Sequence, residues 1–227
     1  MNTFEELTAL IPSELLKISG AVFSTGSLAF NSTAKLYVLG LNPGGAPDDH
    51  VEETVENHTQ KMRSQPLGWN NYRDQSWNGR AAGTAPLQRR VLHTFRELGL
   101  DPGRVPMSNL IFKRTTAAVD VAPELNKLTD LCWPFHQTAI EKMNVRIVLC
   151  FGQDAANRVR TKLEADTFID QFVEENRRGY KSTTYANRSS GISVIAATHP
   201  SRFDWCNPAS DPTPLVKRAL DRLENPA

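Results

Sequence analysis

Lys35-Leu36-Tyr37-Val38-Leu39-Gly40-Leu41-Asn42-Pro43-Gly44-Gly45 is an apolar run that stops at a turn. Leu36 to Leu41 is apolar apart from Gly40 and shows no polar alternation. Such a run reads as a strand buried on both faces, the kind found inside a parallel sheet. Pro43 and Gly44 supply the fixed φ and the permissive φ of a tight turn. In open α/β sheets, ligands bind beyond the carboxyl ends of such strands, which places Asn42 at the edge where chemistry occurs. Taken alone, Asn42-Pro43-Gly44 reads first as ordinary turn punctuation.

Outward from this stretch, two further apolar runs behave alike. Val145 to Phe151 ends at Gly152 and leads into a helix through Ala155 and Val159. Gly191 to Ala197 ends in Thr198-His199-Pro200-Ser201. Val105 to Phe112 is another strand, and Tyr180 to Tyr185 a short polar one at an edge. Helical spacing marks Phe4 to Ile18 as two short helical pieces broken at Pro12-Ser13. It marks Pro86 to Leu98 as a helix stopped by Gly99, Leu125 to Met143 as a helix that Pro134 kinks or restarts, and Leu215 to Leu223 as a closing amphipathic helix. Asp48 to Arg63 is charged and is either an exposed helix or a mobile excursion. Pro66 to Gly83 sets Trp69, Tyr72 and Trp77 among asparagines and arginines, so its aromatics anchor a loop or line a pocket. Strands alternating with helices predict an α/β fold, a three-layer α/β/α sandwich around a central, mostly parallel four-stranded sheet.

The chain has 227 residues and no linker between apolar-rich halves, which reads as a single domain over residues 1–227. A chain of this size buries roughly 70% of its unfolded surface and needs no disulfide or metal to hold a core. Lys and Arg number 26 against 25 Asp and Glu, a net charge of +1, so any polyanion contact comes from a local patch. Lys113, Arg114, Arg177, Arg178, Lys181 and Arg188 are the candidates for it. The three cysteines, Cys132, Cys150 and Cys206, match no zinc or iron–sulfur spacing and suit a reduced, cytoplasmic protein. No metal or cofactor is expected. His50 and His58 share no helical face at metal spacing and read as solvated, and His136 with Cys132 supplies only two potential ligands. Neither a signal peptide nor a membrane span is predicted.

Three strand ends carry a polar residue: Asn42, Asn109 and His199. If their strands are parallel, these side chains leave one edge of the sheet. Gly40-Leu41-Asn42-Pro43-Gly44 and His199-Pro200-Ser201 resemble the two signature motifs of the uracil-DNA glycosylase superfamily. Ser108-Asn109-Leu110-Ile111-Phe112-Lys113-Arg114-Thr115-Thr116 is similar to the base-recognition strand of its mismatch-specific branch. Ile147 to Gly152 is similar to its third strand and following turn. Trp77-Asn78-Gly79-Arg80-Ala81-Ala82-Gly83 resembles a segment whose aromatic ring stacks on the base. These five stretches occur in order across about residues 35–205.

The resemblance implies a monofunctional DNA glycosylase that removes uracil or a related modified pyrimidine with water as nucleophile. Asn42 and His199 would be its catalytic residues. Asn109, Trp77, Leu41 and Gly44 would bind the base. Ser201, Arg202, Phe203, Lys113 and Arg114 would contact DNA, with Arg202 or Phe203 as the wedge that fills the gap left by the extruded nucleotide. Single- or double-stranded DNA would be the partner of a monomeric protein. Four departures from the family pattern stand out. Asn42 stands where the fastest branch has an aspartate, so water is activated by orientation and not by a carboxylate. The stretch between Gly45 and Trp77 is longer than usual, Trp77 replaces the common phenylalanine, and one alanine is inserted after it. A base-binding module lacking catalysis and a nucleoside or nucleotide hydrolase are the competing readings.

Overall fold

A computed structural model describes residues 2–225. Its strands are β1 (Leu36–Gly40), β2 (Met107–Asn109), β3 (Ile147–Phe151), β4 (Thr167–Val173), β5 (Lys181–Ala186) and β6 (Ser193–Ala197). They form one six-stranded mixed sheet in the order β2-β1-β3-β6-β5-β4. β2, β1, β3 and β6 run parallel to one another, and β5 is antiparallel to both β6 and β4. The expected four-stranded sheet is therefore corrected to six strands, because an antiparallel hairpin extends the parallel set beyond β6.

The strands are connected by α1 (Thr3–Ala9), α2 (Ser27–Phe30), α3 (Val55–Ser64), α4 (Asn71–Asp74), α5 (Pro86–Glu97), α6 (Ala118–Val121), α7 (Leu125–Lys142), α8 (Gln153–Lys162) and α9 (Thr213–Glu224). Side chains alternate across the sheet as the pleat requires. Tyr37, Leu39, Val148, Cys150, Val194 and Ala196 join one core with Phe4 and Leu7 of α1, Phe135 of α7 and Val159 of α8. Leu36, Val38, Ile147, Leu149, Ile195 and Ala197 join a second core with Val91 and Phe95 of α5 and Leu215 and Val216 of α9. Helices thus cover both faces, which explains why β1, β3 and β6 lack polar alternation.

Several local expectations change. β5 is not an edge strand; it lies between β6 and β4. β4 takes the edge, with a register shift between Phe168 and Asp170, and Asp170 is held by Arg218 and Arg222 of α9 at 2.9 and 2.7 Å. α7 runs through Pro134 without a restart. Pro134 and Asp130 are both exposed, so the carbonyl that loses its helical donor lies on the solvent side. The Asp48–Arg63 stretch is a 3₁₀ turn (Pro47–His50) followed by α3, whose Val55, Thr59 and Met62 are buried. His58 is not solvated: its Nδ1 accepts from the Val22 amide at 3.4 Å, and burial lowers its pKa to about 4. Trp69 lies in a loop as expected and packs into the first core, so of the two alternatives it anchors that loop.

A buried relay stands beneath the carboxyl end of β2. His136 Nε2 is 3.0 Å from the Leu110 carbonyl, an acceptor only, so Nε2 carries the proton and donates. Nδ1 therefore accepts from the Tyr37 hydroxyl at 2.9 Å. Both rings have no exposed surface, and every polar atom of the relay is paired. A fully satisfied buried network of this kind fixes the register of α7 against β1 and β2.

Candidate active site at the carboxyl edge of the parallel strands

Because β2, β1, β3 and β6 are parallel, Asn109, Asn42, Gly152 and His199 all leave the sheet at one edge. β1 and β6 flank β3, so their ends lie two strand spacings apart, about 10 Å. Amides stand on one side of this gap and an imidazole on the other.

On the amide side, Gly40 pairs with Asn109 in the ladder. A Cβ at position 40 would sit 2.6 Å from Asn109 Oδ1, so only glycine leaves room for that side chain. The Asn109 amide takes no hydrogen bond from any described residue and keeps a donor and an acceptor free. The half-buried Asn42 amide is oriented by two contacts. Nδ2 donates to the Pro43 carbonyl at 3.0 Å and to Thr115 Oγ1 at 2.8 Å. The carbonyl can only accept, and the Thr115 hydroxyl already donates to the Ala117 carbonyl at 3.0 Å, so the nitrogen must face both. Oδ1 is left without a partner among the described residues. A carboxylate at position 42 would set an oxygen against the Pro43 carbonyl, so the local structure suits asparagine.

On the imidazole side, the Ser201 amide donates to His199 Nδ1 at 3.1 Å, and Ser201 Oγ lies 2.8 Å from the same atom. An N–H group can only donate, so Nδ1 carries no proton and the neutral ring bears its hydrogen on Nε2. Burial, aided by the charge of Arg202, lowers the His199 pKa to about 4. The ring is therefore a neutral donor through Nε2 at ordinary pH. Phe151 meets it edge-on at 6.4 Å. Gly152, at φ +95°, turns the chain away beside it.

Each turn is gripped by an arginine. Arg114 donates to the Gly44 carbonyl, to Ser19 Oγ at 3.2 Å and to Glu53 at 2.7 Å. Arg90 of α5 donates to the Pro200 and Ser201 carbonyls at 2.9 and 3.3 Å and to Asp204 at 3.2 Å. The Arg202 and Phe203 amides both bond to the His199 carbonyl, at 3.0 and 3.1 Å. The amides after Pro200 are thus internally satisfied.

These positions settle where the residues expected from sequence lie. Asn42, Asn109 and His199 share one edge. Trp77 joins them through an aromatic series, 5.4 Å from Tyr72, which is 6.5 Å from Phe151. Leu41 is buried with its side chain in the first core, so only its backbone borders the gap. Gly44 is exposed, and a Cβ there would meet nothing within 4 Å. Ser201 is directed at His199. Arg202 is exposed, whereas Phe203 is half-buried against Tyr180, which removes it as a free wedge. Lys113 is paired with Glu124 at 3.0 Å. Arg114 is not a surface cation: its side chain is 8% exposed, and its bonds hold the Gly44 turn. Arg177, Arg178 and Lys181 lie at the β4–β5 tip on the site's edge, but Arg188 follows β5 at the opposite end.

Thr115, Arg90 and Phe151 were not singled out for the site by the sequence, and Tyr72 was read only as anchoring a loop or lining a pocket. Thr115 lies within the stretch 108–116, which was the available signal. Two concavities of about 410 and 630 Å³ lie around Asn144 and Arg146, at the other end of the sheet, and include no candidate residue. Among the described residues no group of three or more His, Cys, Asp or Glu is placed to hold a metal, and no helix is long and apolar enough to cross a membrane. No protein-family model matches this chain, and no curated protein matches it significantly.

Proposed function

We propose that this chain is a monofunctional DNA glycosylase of the uracil-DNA glycosylase type, acting in base excision repair as a cytoplasmic monomer without a cofactor. It would hydrolyse the N-glycosidic bond of uracil or a related modified pyrimidine. The observation that carries this reading is the opposition, across one strand edge, of a neutral Nε2–H donor at His199 and two amides with free acceptors at Asn42 and Asn109.

The glycosidic carbon is unreachable in a stacked helix, so the nucleotide must be extruded into the site. The Asn109 amide offers a donor and an acceptor to the pyrimidine edge, and Trp77 offers its ring to the base face. As the C1′–N1 bond breaks, its electron pair leaves with the base and negative charge gathers on the base oxygen. A neutral imidazole donating through Nε2 stabilises that oxygen without giving up its proton. Asn42 Oδ1 accepts a hydrogen bond from a water and aims it at C1′. Water oxygen bonds to C1′, and its proton passes to the departing base or to solvent. An amide orients water but does not deprotonate it. Arg202, exposed beside the turn, is the wedge candidate.

The absence of a carboxylate among these three strand-end side chains favours one competitor, a base-binding module with little or no catalysis. An excision assay separates the two. Labelled oligonucleotides with uracil in single strands, or opposite A or G, are incubated with protein and then cleaved by alkali at abasic sites. Cleavage by the wild type that falls at least about 100-fold in Asn42→Ala supports the glycosylase. Binding without cleavage of uracil or of a panel of modified pyrimidines supports the module. Hydrolysis of free deoxyuridine in preference to DNA would assign the site to a nucleoside hydrolase.

A further inference from the structure

The tip of the β4–β5 hairpin lies on the same edge as His199. β5 begins beside the end of β6, where the Thr198 amide donates to Ser182 Oγ at 3.0 Å. Tyr180 packs edge-on against Phe203 at 5.0 Å, and the Arg178 guanidinium lies 4.9 Å from the Phe203 ring centre and 5.8 Å from that of Tyr180, over one face of the tyrosine. Tyr180 nevertheless remains 52% exposed. Arg177, Lys181 and Arg202 are exposed and make no ion pair among the described residues. Three carboxylates oppose these cations, of which Asp204, in the His199 turn, is exposed and paired with Arg90 at 3.2 Å. Glu174 is buried and accepts from Asn176 at 2.8 Å with Arg178 at 3.4 Å; Glu175 is exposed. Cations therefore outnumber acids around an exposed aromatic ring, on a surface continuous with the His199 turn.

We propose that this ledge binds an unpaired nucleotide flanking the target, with its base stacked on Tyr180 and its phosphates met by Arg177 and Lys181. This rests on the reading of the adjoining site as a DNA glycosylase and specifies its substrate as single-stranded DNA. In a duplex the base faces are covered by their neighbours, and only an unpaired base offers its face to a protein ring.

The test is fluorescence anisotropy with uracil-free oligonucleotides of equal length, single-stranded and duplex. Wild type should bind the single strand more tightly. Tyr180→Ala should weaken that binding by roughly 5- to 100-fold, the loss of one stacked base, and leave duplex binding unchanged. Tyr180→Phe should bind like the wild type, which also controls for the packing against Phe203. Arg177→Ala and Lys181→Ala should each reduce the salt slope of single-strand binding by about 0.7. Equal losses on both forms, or no loss on either, would overturn the ledge. Excision measured in parallel keeps the two proposals apart. Uracil removal from single strands that is indifferent to Tyr180→Ala overturns the ledge alone. The predicted binding pattern without excision of any pyrimidine overturns the glycosylase alone.

Discussion

The Asn42–Gly45 turn and the His199–Phe203 turn are built on one plan and embedded differently. Each follows a parallel strand, contains a proline immediately after its polar residue, and has its carbonyls gripped by one arginine. Arg114 reaches Gly44 from a buried position and is joined there by Ser19 and Glu53, from distant parts of the chain. Arg90 is 22% exposed and binds only carbonyls and Asp204 of the turn it holds. The amide side is therefore locked into the core, over the paired Tyr37–His136 relay, while the imidazole side rides on the surface beside unpaired cations. Under the proposed function, the locked side would read the base and place the water, and the surface side would meet both the charge of the leaving group and the DNA backbone.

The largest effect should come from the surface side. His199→Ala removes the only donor proposed for the leaving oxygen and should lower kcat by roughly 10²- to 10³-fold with little change in melting temperature. A variant of wild-type kcat would break the assignment of roles. Because the His199 pKa lies at about 4, the wild-type rate should also stay level from neutral pH down to about 5 and decline only as the ring gains a proton. The locked side should answer acid through stability. Burial lowers the His136 pKa from its unfolded value to about 4. The unfolded chain thus binds more protons between about pH 6.5 and 4, and stability falls as pH drops through that window. For this histidine alone the loss approaches about 3 kcal/mol. Urea melts near pH 7 and pH 4.5 read the sum over His136, His58 and His199, all lowered to about 4, and the part that His136→Gln removes is the share of the relay; an unchanged midpoint would mean that none of the three rings is held neutral. The carboxylates act in a lower window, since Asp170 is held at about 2 by Arg218 and Arg222.

What the sequence made legible follows from how each signal is generated. β1, β3 and β6 are covered on both faces, and their unbroken apolar runs record that cover directly. β4 went unread because Thr167-Phe168-Ile169-Asp170-Gln171-Phe172-Val173 mixes exposed apolar with tethered acidic residues at an edge. Its presence outside β5 then turned an expected edge strand into an inner one. Asn42, Asn109 and His199 were legible as polar residues at strand ends, a local pattern that parallel topology converts into proximity. Arg90 carries no such mark, since α5 approaches the Pro200 carbonyl only in the folded chain, 110 residues away in sequence. Arg114 was misplaced for a related reason: Lys-Arg pairs are usually solvated, and nothing local reveals that Glu53 and Gly44 wait for the second of them. The long stretch before Trp77 likewise gains its meaning only in the fold, because it carries the Glu53 that Arg114 needs.

The two arginines give the next contrast. Arg114→Ala should cost about 2 kcal/mol, the loss of charge-assisted bonds from a buried side chain, while its half-exposed partner Glu53 falls back on water. Excision should decline with it, because the Gly44 carbonyl no longer anchors the turn that carries Asn42. Arg90→Ala, at a more exposed site, should cost less stability, and the order of the two midpoints in urea tests the difference in embedding.

The smallest effect should come from Ser201→Ala. Its hydroxyl lies against His199 Nδ1, but the Ser201 amide donates to the same atom and survives the substitution. The Nε2–H tautomer therefore persists, and kcat should fall only a few-fold, with KM and the acid limb of the pH profile nearly unchanged. Were the serine instead a phosphate ligand, as its place in the motif suggests, KM for DNA would rise and the salt dependence of binding would weaken while kcat held. The split between kcat and KM in this one variant decides whether the His199 turn spends its serine on orienting the imidazole or on the DNA backbone.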